Sequence, residues 1–98
     1  MFKHVKMKLE TALLDWEAMK KTSYDESEDF AERFELHFYE FIDELKIWYQ
    51  QLGKQPTTIE EAENFAEIKE IIERLPEPLV LNFYNELDLI IEGKEQEK

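Results

Sequence analysis

The feature that most constrains this chain is a row of large apolar residues in a stretch without helix breakers. The first 52 residues contain neither glycine nor proline, and aromatic and leucine side chains recur there every three or four positions. The row consists of Phe30, Phe34, Phe38, Phe41, Leu45, Trp48 and Leu52. At about 100° per residue these side chains fall within one narrow sector of a helix. The sequence therefore predicts a long amphipathic helix whose aromatic row faces a core.

Three further stretches show the same helical period: one precedes the aromatic row and two follow it. Glycine or proline separates the stretch with the aromatic row from the third stretch, and the third stretch from the fourth. The predicted helices cover residues 2–21, 27–52, 58–75 and 78–92. Four amphipathic helices joined by short connections favour an all-α, compact up-down bundle. The third and fourth helices pack either side by side or, because their connection is tight, at an angle. A kinked three-helix arrangement and a helix-swapped dimer are alternatives. We expect a single domain over residues 1–98, in which residues 94–98 form a solvated tail.

Capping signals support several of these boundaries. Gly53 and Gly93 follow the second and fourth predicted helices, where glycine commonly ends a helix. Thr57 and Thr58 are each followed three positions later by a glutamate, as a capping box at the start of a helix requires. Pro78 suits the first turn of the last helix, because its missing N–H has no partner there in any case.

Composition limits the classes of partner and the cellular compartment. The formal net charge is -12, from 24 acidic and 12 basic side chains, so nucleic-acid backbones and anionic lipid surfaces repel most of the molecule. A hydrophobic fraction of 43% argues against disorder. The absence of cysteine excludes disulfides and cysteine-ligated zinc. No stretch has the pattern of a signal peptide or a membrane span, so we expect a cytoplasmic protein.

Catalytic and metal-binding patterns are weak. His37 has Glu40 and Glu44 three and seven residues later, and these three groups could hold a divalent ion; a boundary histidine beside solvated glutamates is the simpler interpretation. Two isolated glycines cannot build a phosphate-binding loop. Residues 78–92 carry no lysine or arginine, so they cannot serve as a DNA-recognition helix. We therefore expect no enzyme activity, no cofactor, no resident metal and no direct binding to nucleic acid.

Several apolar residues lie away from the main helical stripes and are candidates for binding a partner. Surplus apolar residues on a second face can mark an interface, although they can also fill gaps inside a bundle. The candidates are Met7 and Leu14 on the first predicted helix, Leu36, Tyr39 and Ile47 on the second, and Leu81 and Leu89 on the fourth.

These observations support three hypotheses about function. The first is a non-enzymatic protein–protein interaction or regulatory module, which binds a protein partner or a second copy through helix faces. The second is an inhibitor or immunity-type protein that blocks a basic site, including by mimicry of nucleic acid, because residues 22–45 hold nine acidic side chains and only one basic residue, Arg33. The third is a metal-binding carboxylate bundle.

Overall fold

A computed structural model describes residues 2–21 and 24–93, with the side chains of the second stretch described from residue 28 onward. Within those ranges the chain forms five α-helices and no strand, which confirms the all-α prediction. The helices are α1 (Phe2–Lys21), α2 (Tyr24–Gln50), α3 (Ile59–Glu63), α4 (Ala66–Arg74) and α5 (Glu77–Glu92). The predicted tail, residues 94–98, lies outside the described residues.

The second predicted helix is present as one continuous element, but its limits differ from the prediction of 27–52. It begins three residues earlier and ends two residues earlier, at Gln50. The expected glycine cap at Gly53 does not form in the left-handed conformation. Of the two glycines, both described, only Gly93 has a positive φ. The helix instead closes with a tight turn in which the Leu52 amide donates to the Tyr49 carbonyl at 3.2 Å.

The prediction of one helix over residues 58–75 is wrong, since two helices occupy this stretch. The chain leaves the helical conformation at Phe65, which is extended with a ψ of 133°. Its amide donates to the carbonyl of Ala62, three residues back, instead of continuing an α-helical pattern. Neither glycine nor proline occurs at this break, so the hydrophobic period predicts one uninterrupted helix across it.

The start of α3 follows the predicted capping box with one difference. Thr58 is the N-cap, and its hydroxyl oxygen accepts the Glu61 amide at 3.1 Å. The Glu61 carboxylate reaches one residue further back than usual, where it accepts the Thr57 amide at 2.7 Å and the Thr57 hydroxyl at 2.9 Å. These two bonds, the backbone one foremost, lower the pKa of Glu61. Both threonines therefore contribute to one cap.

The last helix begins one residue before its predicted start and ends as predicted. Pro76 is its N-cap and Pro78 lies within its first turn, where proline costs no hydrogen bond. Gly93 closes it in the left-handed conformation, with φ 75° and ψ 18°, and donates its amide to the Ile90 carbonyl at 3.1 Å. This is the predicted glycine cap.

The chain divides into two compact units, Met1–Trp48 and Tyr49–Lys98, here named the N-terminal and C-terminal units. The boundary falls inside α2, so no linker separates them. The single-domain prediction and the up-down order of the whole bundle stay predictions.

The N-terminal unit is a helical hairpin of α1 and most of α2 with an apolar core. Phe30 and Phe34, at the start of the predicted aromatic row, are half-buried, whereas the row is fully buried from Phe38 to Trp48. Ile42 is buried although it lies beside the predicted row, so the buried face of α2 is wider than one stripe. The buried residues of this unit are Val5, Leu9, Ala12, Phe38, Phe41, Ile42, Leu45 and Trp48.

The C-terminal unit is built on α3, α4 and α5, and α3 contacts both of the other helices. Ile71 is fully buried in α4 and Ile72 is half-buried, because the break at Phe65 resets the helical phase. The buried apolar residues of this unit are Tyr49, Ala62, Ile68, Ile71, Leu75, Leu79, Phe83, Leu87 and Ile90.

One buried hydrogen bond fixes the segment between α2 and α3. The Tyr49 hydroxyl donates to the Pro56 carbonyl at 2.7 Å, and the Gln55 side-chain amide donates to the Tyr49 carbonyl at 3.2 Å. Burial raises the pKa of Tyr49, and the negative charge of Glu61 raises it further. The neutral hydroxyl therefore remains a donor, and the loop is tied back to the end of α2.

Candidate docking face of the helical hairpin

Four cross-helix contacts show that α1 and α2 run antiparallel in the N-terminal unit. Phe2 stacks on Trp48 with ring centroids 5.6 Å apart, and the Lys8 ammonium lies 3.2 Å from a Glu40 carboxylate oxygen. Further along α1, Asp15 pairs with His37, and Trp16 lies 5.3 Å from the Phe34 ring. As the residue numbers rise on α1, those of their partners fall on α2. The start of α1 therefore lies beside the end of α2.

The inner side of the hairpin is a chain of aromatic contacts. The rings of Trp16, Phe34, Phe38 and Phe41 follow one another with centroid separations of 5.3, 5.7 and 5.8 Å. Tilted rings at these distances gain energy beyond their buried area. The indole Nε1 of Trp16 is buried and has no hydrogen-bond partner among the described residues, so it contributes packing without a polar anchor.

Two exposed side chains of α1 lie opposite its buried stripe. Val5, Leu9 and Ala12 are buried, whereas Met7 is 55% and Leu14 is 71% exposed. At about 100° per residue, Met7 and Leu14 fall roughly 140° to 180° from the buried stripe. Both therefore point away from the side of α1 that carries the buried residues and contacts α2.

The same geometry applies to α2. Leu36 and Ile47 are 58% and 43% exposed, and both lie on the side of the helix opposite Phe38 and Leu45. Each helix of the hairpin therefore carries two exposed apolar side chains opposite its buried row. We name these four side chains, Met7, Leu14, Leu36 and Ile47, the outer patch.

The register of the hairpin places the two leucines at one level. Leu14 immediately precedes Asp15, and Leu36 immediately precedes His37, and Asp15 and His37 are paired across the hairpin. Leu14 and Leu36 are therefore at the same level along the hairpin. Lys8 and Glu40 form an ion pair across the hairpin about two turns away.

Two small residues on α1 separate the exposed side chains of the outer patch. Thr11 and Ala18 each lie four residues after an apolar member of the patch and are half-buried. The Thr11 hydroxyl donates to the Met7 carbonyl at 3.1 Å, so its polar atom is satisfied within its own helix. The stripe from Met7 to Ala18 therefore carries no charge and leaves room for the close approach of another helix.

The remaining three candidate residues do not belong to this surface. Tyr39 is 36% exposed and lies on the side of α2 turned away from α1. Its ring centroid is 5.8 Å from that of Phe38. Leu81 and Leu89 belong to α5 in the C-terminal unit. Leu81 is exposed and Leu89 is half-buried, and about 80° of helix rotation separates them. They therefore form no single stripe.

The weak metal hypothesis for His37, Glu40 and Glu44 receives no geometric support. His37 pairs with Asp15, and Glu40 pairs with Lys8, so two of the three groups have other partners. In the part of the chain that the structure describes, no three histidine, aspartate or glutamate side chains converge as a metal site would need.

The C-terminal unit contains an open cleft of about 440 Å³ between α3, α4 and α5. Its lining includes Glu60, Glu63, Lys69, Glu73 and Tyr84. The Tyr84 hydroxyl donates to a Glu63 carboxylate oxygen at 2.8 Å, and burial, with this bond and charge, raises the pKa of Tyr84. The Tyr84 hydroxyl is thus neutral and paired with Glu63, while Glu60, Lys69 and Glu73 are exposed to solvent.

Comparisons with known proteins give no match: no family model, no curated protein and no solved structure is significantly similar to this chain. No helix in the described ranges is both long enough and apolar enough to cross a membrane. The candidate site is therefore defined by the geometry of the hairpin alone.

Sequence reasoning missed the cross-helix pairs that border the outer patch. Lys8 contacts Glu40 because an antiparallel partner places the start of α1 beside the end of α2. The same arrangement brings Asp15 to His37. The period within one helix does not indicate which residues of another helix lie opposite.

Proposed function

We propose that this protein is a non-enzymatic protein–protein interaction or regulatory module that acts through the outer patch. The observation that carries the proposal is the exposure of four large apolar side chains on the two helices of a single hairpin, each pair opposite the buried row of its helix. Isolated exposed leucines are common, but exposed apolar side chains that share one side of a helix on an otherwise charged protein are typical of an interface.

The size of the patch suits a reversible contact. Complete burial of a leucine, isoleucine or methionine contributes roughly 1.5–3 kcal/mol, so four partly exposed ones supply on the order of 5 kcal/mol. Loss of translational and rotational freedom on association costs about 4 kcal/mol or more. The patch therefore needs additional polar contacts at its rim, and binding in the micromolar range fits a regulatory role.

The surroundings of the patch support specificity. Glu40 and Lys8 form an ion pair between the two helices, and Asp29 and Asp43 are exposed on the same helix as Leu36. Charges around an apolar centre select partners and accelerate encounter more than they raise affinity. We place this activity in the cytoplasm, which suits a chain without cysteine.

Photo-crosslinking in the native host tests the proposal. A photoreactive amino acid at position 14 or 36 is expected to give a discrete crosslinked product, because both positions lie in the outer patch. Position 35 is the matched control, since Glu35 is also exposed but points to another side of α2. Equal crosslinking from positions 35 and 36, or none from 14 and 36, would contradict the proposal.

The inhibitor hypothesis is a second proposal, and exposed carboxylates on the first half of α2 favour it. Glu28, Asp29, Glu32 and Glu35 are all exposed, with Arg33 among them. A surface of this charge would compete for a cationic site, and its binding would weaken steeply with added salt. A salt titration of any complex recovered by crosslinking distinguishes the two, because binding through the outer patch depends mainly on apolar contact.

A further inference from the structure

We propose that the α2 half of the outer patch binds a basic amphipathic helix of a partner protein. This inference rests on the proposed function and names the chemistry of its partner. Two features lead to it: apolar and acidic side chains share one side of α2, and the described part of that side carries no positive charge.

Five exposed side chains form a straight row on α2. Relative to Leu36, Ile47 lies about 20° around the helix, and the acidic members lie within about 40°. The row is spaced by three, four, seven and four residues, and it extends over about 27 Å. We name it the α2 strip, and its members are Asp29, Glu32, Leu36, Asp43 and Ile47, all of them exposed.

The charge of the α2 strip is of one sign. On the described part of α2, no lysine or arginine falls within about 40° of Leu36. Arg33 lies about 60° away, and its guanidinium is 5.2 Å from the centre of the Phe30 ring. Glu40, at the edge of the strip, is already paired with Lys8. The strip therefore places three exposed carboxylates around two apolar side chains.

The exposed side of α1 differs, because it carries charge of both signs. Lys3 and Lys21 lie within about 40° of Leu14, and so does Glu10. That side therefore favours neither a basic nor an acidic partner. Of the two helices of the hairpin, α2 is the one whose exposed apolar side selects a partner by charge.

The chemistry of the partner follows from the spacing of the strip. Leu36 and Ile47 are eleven residues apart, which is about three helical turns. A helix laid along α2 contacts both if it carries apolar residues at the same spacing, and lysines or arginines beside them lie against the three carboxylates. Apolar contact supplies the affinity, while the charge pairs speed encounter. A second copy of the strip would place carboxylates against carboxylates, so it is a poor occupant.

Binding kinetics with a synthetic helix test the inference. The probe is a peptide of about 18 residues of lysine, alanine and leucine, with two leucines eleven positions apart on one face. A peptide of the same composition with its leucines on opposite faces is the control for attraction by charge alone. The full chain is expected to bind the probe roughly ten-fold more tightly than the control peptide. Equal binding of the two peptides, or no binding of the probe, would overturn the inference.

Two pairs of variants locate the site. Leu36→Ala should raise the dissociation rate of the probe roughly five-fold, whereas Leu81→Ala, at a comparably exposed position on α5, should leave it unchanged. Asp43→Lys should lower the association rate roughly three-fold, whereas Asp88→Lys makes the same change of charge on α5 with a much smaller effect. If either strip variant behaves like its α5 control, the inference is wrong. Circular dichroism checks that each variant keeps its helix content.

The crosslinking experiment in the host separates this inference from the proposed function. If position 36 crosslinks to a host protein but the probe does not bind, the interaction proposal stands and the chemistry of the partner is wrong. If no crosslink forms at position 14 or 36 and the probe does not bind, both are wrong.

Discussion

At the scale of single residues, the two glycines differ in a way that the sequence does not reveal. Each follows a predicted helix, and a Cβ added to either one would meet no atom within 4 Å. Only Gly93 has a positive φ, at 75°, which side-chain-bearing residues rarely adopt. The φ angle of each glycine, and not steric room for a Cβ, therefore determines how substitution at these two positions changes stability.

Gly93→Ala should lower the free energy of unfolding by about 1 kcal/mol, because alanine is strained in the left-handed conformation. Gly53→Ala should change it by less than about 0.5 kcal/mol, or raise it slightly through reduced freedom of the unfolded chain. Urea denaturation of both variants measures the difference. Equal stability of the two variants would show that Gly93 does not need its positive φ.

At the scale of elements, the sequence predicted helix type better than helix limits. The long period of α2 was sufficient to identify it, and Gly93 and Pro78 marked α5 correctly. The break between α3 and α4 was not predictable, because Phe65 fits a continuous helical stripe and no breaker precedes it. The break allows both Ala62 and Ile71 to be buried, which a continuous helix would place about 180° apart.

The candidate site shows the same limit. The phase of each helix identified Met7, Leu14, Leu36 and Ile47 as surplus apolar residues, and all four are exposed. That Leu14 and Leu36 lie at one level depends on the hairpin register, which the pairs Lys8–Glu40 and Asp15–His37 establish. Register arises from contacts between distant residues, so a period within one helix cannot provide it.

The cap of α3 has a pH dependence whose sign follows from its hydrogen bonds. Two bonds from Thr57 favour the charged form of Glu61 and lower its pKa below the usual 4.5. A lowered pKa in the folded state means that the carboxylate stabilises the fold above about pH 4.5 and that this stabilisation is lost as the pH falls through the folded pKa.

Replacement of Glu61 by glutamine is therefore expected to destabilise the protein at neutral pH and to have a diminishing effect in acid. The free energies of unfolding of the wild type and Glu61→Gln, measured by urea denaturation across the acidic range, should converge at low pH. A difference that stays constant, or grows as the pH falls, would mean that the bonds to Thr57 do not favour the charged carboxylate.

At the scale of the whole molecule, the boundary between the two units bears on how the chain unfolds. α2 continues from Trp48 to Gln50 across that boundary, and the Tyr49 hydroxyl fixes the next segment through Pro56. A helix that belongs to both units cannot unwind in one without removing support from the other. Unfolding is therefore expected to be a single cooperative transition, as the single-domain prediction requires.

The positions of the tryptophans allow this to be measured. The only two, Trp16 and Trp48, belong to the N-terminal unit, so their fluorescence reports on that unit while far-ultraviolet circular dichroism reports on all helices. Ile71→Val in the C-terminal core should cost about 1 kcal/mol and shift the fluorescence and dichroism midpoints together. Ile42→Val, a matched substitution in the N-terminal core, should also shift both midpoints together. If Ile71→Val shifts the dichroism curve but leaves the fluorescence midpoint unchanged, the units unfold separately and the continuity of α2 does not couple them.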